Sequence, residues 1–124
     1  VTLSVAQIDR ETEQLVDEWL TLPEVAKRLD LTIGRAKQLL KDHKLLGVRR
    51  GPGGPQVPAA FLDGKDVWKG LPGTLTVLFD AGYDDVEALR WLFTPDESLP
   101  GAPIDAIKAG RHTEVKRRAQ ALAF

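Results

Sequence analysis

Three local signals predict a mainly α-helical fold interrupted by a very short two-stranded β excursion. Thr21 is followed three residues later by Glu24, with Pro23 between them, the pattern of a capping box whose proline sits where a helical N–H has no partner. Apolar residues then recur at helical spacing on both sides of a break at Asp30-Leu31. The run Gly51-Pro52-Gly53-Gly54-Pro55 can extend neither a helix nor a ladder, so it marks a tip between extended segments.

Taken in order, residues 5–18 place Val5, Ile8, Thr12, Leu15 and Trp19 near helical spacing, which predicts a leader helix packing Leu15 and Trp19 inward. A second helix starts after the Thr21 cap and runs to about Asp30, burying Leu22, Val25, Ala26 and Leu29. Asp30 has to accept the left-handed backbone that a glycine more often supplies. Thr32 caps a third helix over residues 33–41, with Leu31, Ala36 and Leu39 or Leu40 facing in and Ala26 small enough for close helix approach. Two helices joined by so short a turn define a helix-turn-helix. Leu46-Gly47-Val48-Arg49-Arg50 reads as a strand, Gln56-Val57 as its return and Pro58 as the limit, which makes a winged helix-turn-helix with a very short two-stranded wing.

Residues 59–71 form a segment folding back over the core, with a turn at Asp63-Gly64-Lys65. A helical C-terminal extension follows. Leu75, Leu78 and Phe79 define a helix ending before Gly82; Val86, Leu89, Trp91, Leu92 and Phe93 define another after Asp84-Asp85, stopped at Thr94-Pro95. Residues 103–109 and 112–122 give two more, separated by Gly110. The expected division is a helical leader at 1–18, the winged module at 19–62 and a helical domain at 63–124 packed on or near it.

The 124 residues, 43% apolar and 28% charged, suffice for one modest core. No apolar run is long enough to span a bilayer and the first ten residues lack signal-peptide order, so a cytoplasmic protein without membrane insertion is expected. With no cysteine and two distant histidines, neither a metal site nor a cofactor is expected. Position 1 is Val, so the chain is read as a trimmed form of a longer product.

Net charge is −1, but its distribution is uneven. Residues 1–23 hold Arg10 against five acids, a net −4, whereas residues 24–50 hold eight basic side chains against Glu24, Asp30 and Asp42, a net +5. A locally basic segment suits phosphate contacts, because affinity depends on charge placed near the nucleic-acid backbone. On the third helix the residues off the buried face are Thr32, Ile33, Gly34, Arg35, Lys37, Gln38 and Lys41. Arg35, Lys37, Gln38 and Lys41 are long enough to reach base edges and phosphates, and Gly34 permits close approach. Lys27, Arg28 and Lys44 are placed to meet phosphate, and Arg49 or Arg50 at the wing base to touch DNA. The DNA-binding set is therefore Lys27, Arg28, Thr32, Gly34, Arg35, Lys37, Gln38, Lys41, Lys44, Arg49 and Arg50.

Catalytic chemistry finds little support. His43 and His112 have no neighbouring nucleophile, the acidic pairs Asp84-Asp85 and Asp96-Glu97 sit where helix ends are capped, and Gly51–Pro55 lacks the donors and the G-K-S/T of a phosphate loop. The chain is not read as an enzyme. Trp91 and Phe93, with Lys116 and Arg117 on the last helix, form a candidate partner-binding surface, although core packing is the first explanation for the aromatics.

Residues 21–62 resemble the excisionase-type and MerR-type winged helix-turn-helix, through P-E-V-A-x-x-L at residues 23–29, a Thr-started recognition helix, V-R-R at 48–50 and V-P at 57–58. Residues 72–122 are similar to the Xre/ParS-like antitoxin domain, through L-F-D-A-G at 78–82, A-L-R-W-L at 88–92 and P-I-D-A-I-K-A-G-R at 103–111. The chain as a whole resembles a family of mycobacterial DNA-binding regulators that are substrates of a membrane Ser/Thr protein kinase. That resemblance implies double-stranded DNA as partner, a transcriptional role and control by phosphorylation of a tail upstream of Val1. A homodimer or protein partner is compatible with it. The alternative functions are a protein-interaction adaptor or an antitoxin-like partner-binding protein.

Overall fold

The computed structural model describes residues 6–99 and 101–123. Seven α-helices occupy nearly half of them: α1 (Arg10–Glu13), α2 (Leu22–Leu29), α3 (Ile33–Lys41), α4 (Leu71–Asp80), α5 (Asp85–Phe93), α6 (Pro103–Lys108) and α7 (His112–Ala121). Strands are short: β1 (Trp19–Thr21) pairs antiparallel with β2 (Gln56–Pro58), and β3 (Leu62–Asp63) with β4 (Asp66–Val67). The mainly helical class, the small wing and the helical C-terminal half are as the sequence predicts.

The leader differs from its expectation. In place of a helix over residues 5–18, only the single turn α1 is helical, and Val5 lies outside the described residues. The cause is backbone pairing: the Arg49 amide donates to the Ala6 carbonyl and the Ile8 amide to the Arg49 carbonyl, both at 2.9 Å, which keeps residues 6–8 extended. Asp9 then caps α1. Ile8, Thr12 and Val16 are buried, whereas Leu15, expected inside, is exposed.

The wing is also tighter than a two-strand ribbon over residues 46–50 and 56–57. Val48 alone pairs with Gln56, exchanging amide–carbonyl bonds of 3.0 and 2.8 Å, and β2 uses its other edge for β1. Leu45, Leu46 and Val48 are buried instead of alternating, so the segment leading into the wing is core-facing throughout.

A 3-10 turn at Ala59–Phe61 and the β3–β4 hairpin carry the chain from the wing to α4. One continuous apolar core joins both halves: Leu20, Val25, Val57 and Phe61 from the first, Leu71, Leu75, Leu78, Leu89, Leu92, Ile107 and Val115 from the second. α7 lies against α4 and α6, and α5 against α6. Gly70 is fixed by this packing. It has φ of 91°, and a Cβ there would stand 2.2 Å from the Cβ of His112 at the start of α7.

Candidate nucleic-acid interface

The geometry of α2 and α3 follows from their caps. Thr21 and Glu24 form the reciprocal box, with the Thr21 amide donating to Glu24 Oε1 (3.0 Å) and the Glu24 amide to Thr21 Oγ1 (3.3 Å). These bonds favour the ionised form, and Thr21 holds the Glu24 carboxyl below its ordinary pKa. After α2, Asp30 adopts φ 56°, ψ 47°, with the Asp30 amide donating to the Lys27 carbonyl and the Leu31 amide to the Ala26 carbonyl. This is the paired bonding of a Schellman ending, closed by aspartate where glycine is usual. Thr32 Oγ1 then accepts the Arg35 amide at 3.1 Å and starts α3. Ala26 and Ala36 are both buried, so small side chains line the inner faces of the two helices.

α3 buries Ala36 and Leu40 and leaves Thr32, Ile33, Gly34, Arg35, Lys37, Gln38 and Lys41 exposed. Lys27 and Arg28 are exposed on the last turn of α2, and Lys44 just beyond α3. Two of these polar groups have partners. Gln38 Nε2 donates to Asp42 Oδ1 at 2.9 Å, and Arg28 stands 4.0 Å from Glu18, a solvated pair that holds neither side chain firmly.

The two arginines of the wing base separate in role. Arg49 is exposed. Arg50 is drawn inward: its guanidinium donates to Glu13 Oε1 (2.8 and 3.0 Å) and Gln56 Oε1 (2.8 Å), and lies 4.8 Å from the Trp19 ring centroid. A cation held by a carboxylate and an aromatic face stabilises the junction of leader, strand and wing. The wing tip, with Gly51 and Gly53 at positive φ, offers backbone and no charge.

A second clasp holds the leader to the C-terminal half. Arg90 on α5 donates to Thr12 Oγ1 (3.0 Å) and Asp9 Oδ1 (3.1 Å), and the buried Thr12 hydroxyl donates to Asp9 (2.7 Å). The Thr12 hydroxyl, with its amide and Arg90, lowers the Asp9 pKa. Asp85, at the start of α5, is shifted the other way: burial raises it, and Asp84 adds to this, against the opposing charge of His43 and the Ala6 amide. Neither clasp carries a local sequence signal, because the partners are 37 and 78 positions apart.

Of the residues expected at a partner surface, Trp91 and Phe93 are half-buried, and the Phe93 ring lies 5.5 Å from that of the buried Phe61. Lys116 and Arg117 are exposed on α7. Among the described residues no three His, Asp or Glu side chains gather in a metal-binding arrangement, and no helix is long and apolar enough to cross a membrane.

A capped two-helix unit with a basic outer face, flanked by a short wing and packed on a helical second half, defines a winged helix-turn-helix protein. The chain belongs to the Rv2175c family. Residues 8–62 match the model described as the wHTH domain of the DNA-binding protein Rv2175c, and residues 68–123 match the Rv2175c C-terminal domain of unknown function. The chain is similar to the DNA-binding protein Rv2175c of Mycobacterium tuberculosis (strain ATCC 25618 / H37Rv), with 42% identity over 116 residues, covering 83% of this chain and 79% of the relative. The NMR structure of Rv2175c superposes with a TM-score of 0.82 at 38% identity, covering 98% of this chain and 90% of that one.

Proposed function

We propose that the protein binds double-stranded DNA and regulates transcription by occupancy, with α3 in the major groove. The observation that carries this reading is the outer face of α3, where Arg35, Lys37, Gln38 and Lys41 are exposed together on a helix whose inner face is fixed by Ala36 and Leu40. Lys27, Arg28 and Lys44 flank that face and meet phosphates. Thr32 and Gly34 stand where the helix start enters the groove. From the wing, Arg49 touches the DNA, and Arg50 follows only by releasing Glu13 and Gln56. The name of the similar Mycobacterium tuberculosis protein supports the same partner.

In this reading residues 1–18 form a leader, 19–62 the DNA-binding module and 63–124 a helical domain that braces it. A single module covers a short site, so a homodimer or a protein partner on the face of Trp91, Phe93, Lys116 and Arg117 adds affinity. A Ser/Thr kinase acting on a tail upstream of Val1 weakens binding by bringing phosphate charge toward the basic face. The protein works in the cytoplasm. Binding of a labelled duplex across a salt series tests the reading. The affinity falls linearly on logarithmic axes with a slope of about −0.9 per phosphate neutralised. A salt-independent interaction, or none, refutes it.

A further inference from the structure

Two residues in the first turn of α3 are not explained by folding. Ile33 has 46% of its surface exposed, more than Leu15 at 37% or Leu122 at 36%, the other exposed large apolar residues described. Its branched side chain loses rotamer freedom in a helix and gains no full burial in return. Gly34, next to it, lies inside the helix, where glycine is less stable than alanine. Its φ is not positive, and a Cβ there would meet nothing nearer than Thr32 Oγ1 at 3.9 Å, an ordinary contact. The fold would accept alanine at position 34 and a polar residue at position 33.

Both positions lie at the end of the helix that meets base edges first when a helix-turn-helix docks in the major groove. Together they present an apolar side chain beside a missing Cβ. The apolar group that a base pair offers in the major groove is the C5-methyl of thymine. The Thr32 cap on the Arg35 amide fixes this turn, so the pair is held on a rigid element. Gln38, one turn on, already has its amide nitrogen engaged by Asp42, which disfavours the bidentate contact by which glutamine reads adenine.

We propose that Ile33 and Gly34 read a thymine: Ile33 packs against its C5-methyl, and the absent side chain at position 34 lets the helix come close enough for that contact. The inference rests on the DNA-binding reading above and adds a base preference to it.

The test starts from duplexes selected out of a randomised pool by the full chain, in which each thymine is replaced singly by deoxyuridine, removing only the methyl. At one position the wild-type affinity falls about fourfold, the worth of one methyl group taken out of water. Ile33→Ala binds the thymine and uracil duplexes equally, with the salt slope unchanged. Gly34→Ala keeps or raises the melting temperature while weakening the selected duplex. Wild-type indifference to every replacement overturns the proposal, as does discrimination that survives in Ile33→Ala, or loss of both duplexes by that variant while it remains folded. Failure of the wild-type chain to bind any duplex overturns the underlying DNA reading as well and is recognised separately.

Discussion

The His43 imidazole packs on the Phe79 ring, with centroids 4.2 Å apart and planes tilted by 46°. His43 follows the C-terminus of α3 with φ 56°, its amide donating to the Leu40 carbonyl and the Lys44 amide to the Leu39 carbonyl, so it closes α3 as Asp30 closes α2. The C-terminal end of α3 is thereby braced against α4. His43→Ala keeps the left-handed strain and loses the ring contact, whereas His43→Gly loses the contact and relieves the backbone. Urea unfolding should place the glycine variant above the alanine variant by up to about 1 kcal/mol. A His43/Phe79 double-mutant cycle should give a coupling of about 0.5–1.5 kcal/mol.

The wing-base arginines separate in the same kind of measurement. Arg50→Ala breaks the contacts to Glu13, Gln56 and Trp19 and lowers stability by about 1 kcal/mol. Arg49→Ala leaves unfolding unchanged and reduces the salt slope of DNA binding by about one. Equal salt-slope losses in both variants would show that Arg50 leaves its pocket to bind.

Gly70 tests how the C-terminal helices close. Gly70→Ala meets the Cβ of His112 and a φ of 91°, so it destabilises by more than about 2 kcal/mol in thermal or urea unfolding. Gly82→Ala, at φ 95° in open space, has only the backbone penalty of about 1 kcal/mol.

Asp85 gives a pH test with a definite sign. Because burial raises its pKa in the folded chain above the ordinary 3.8, the folded state holds this proton more tightly, and stability from this group is lost as pH rises through the folded value. Asp85→Asn, which keeps the shape of the side chain and removes its charge, melts higher than wild type at neutral pH. The difference closes on acidification below the ordinary carboxylate range. Asp9 has the opposite sign, its lowered pKa contributing stability that is lost as pH falls, so comparison with the Asn variant isolates Asp85.

The parts of this fold legible in the sequence are those fixed by neighbours. Thr21 with Glu24, Thr32 before Ile33, and Asp84 before α5 all act within three or four residues, and they set the start of α2, α3 and α5 where the sequence places them. The leader was not legible, because the backbone of residues 6–8 pairs with Arg49 and a periodic pattern cannot show that competition. For the same reason Arg49 and Arg50 look alike in sequence, and only the arrival of Glu13 from the leader and Trp19 from β1 separates them. The exposed face of α3 was legible because its complement, Ala36 and Leu40, is local; the brace from Phe79 to His43 was not.

The central claim is that the outer face of α3 and its basic flanks meet DNA. Its most direct test is an NMR titration of the isotope-labelled chain with duplex DNA at a low and a moderate salt concentration. The largest shift changes are expected at Lys27, Arg28, residues 32–41 and Arg49, all diminishing at higher salt. Changes centred on α5 or α7 with α3 unaffected would contradict it.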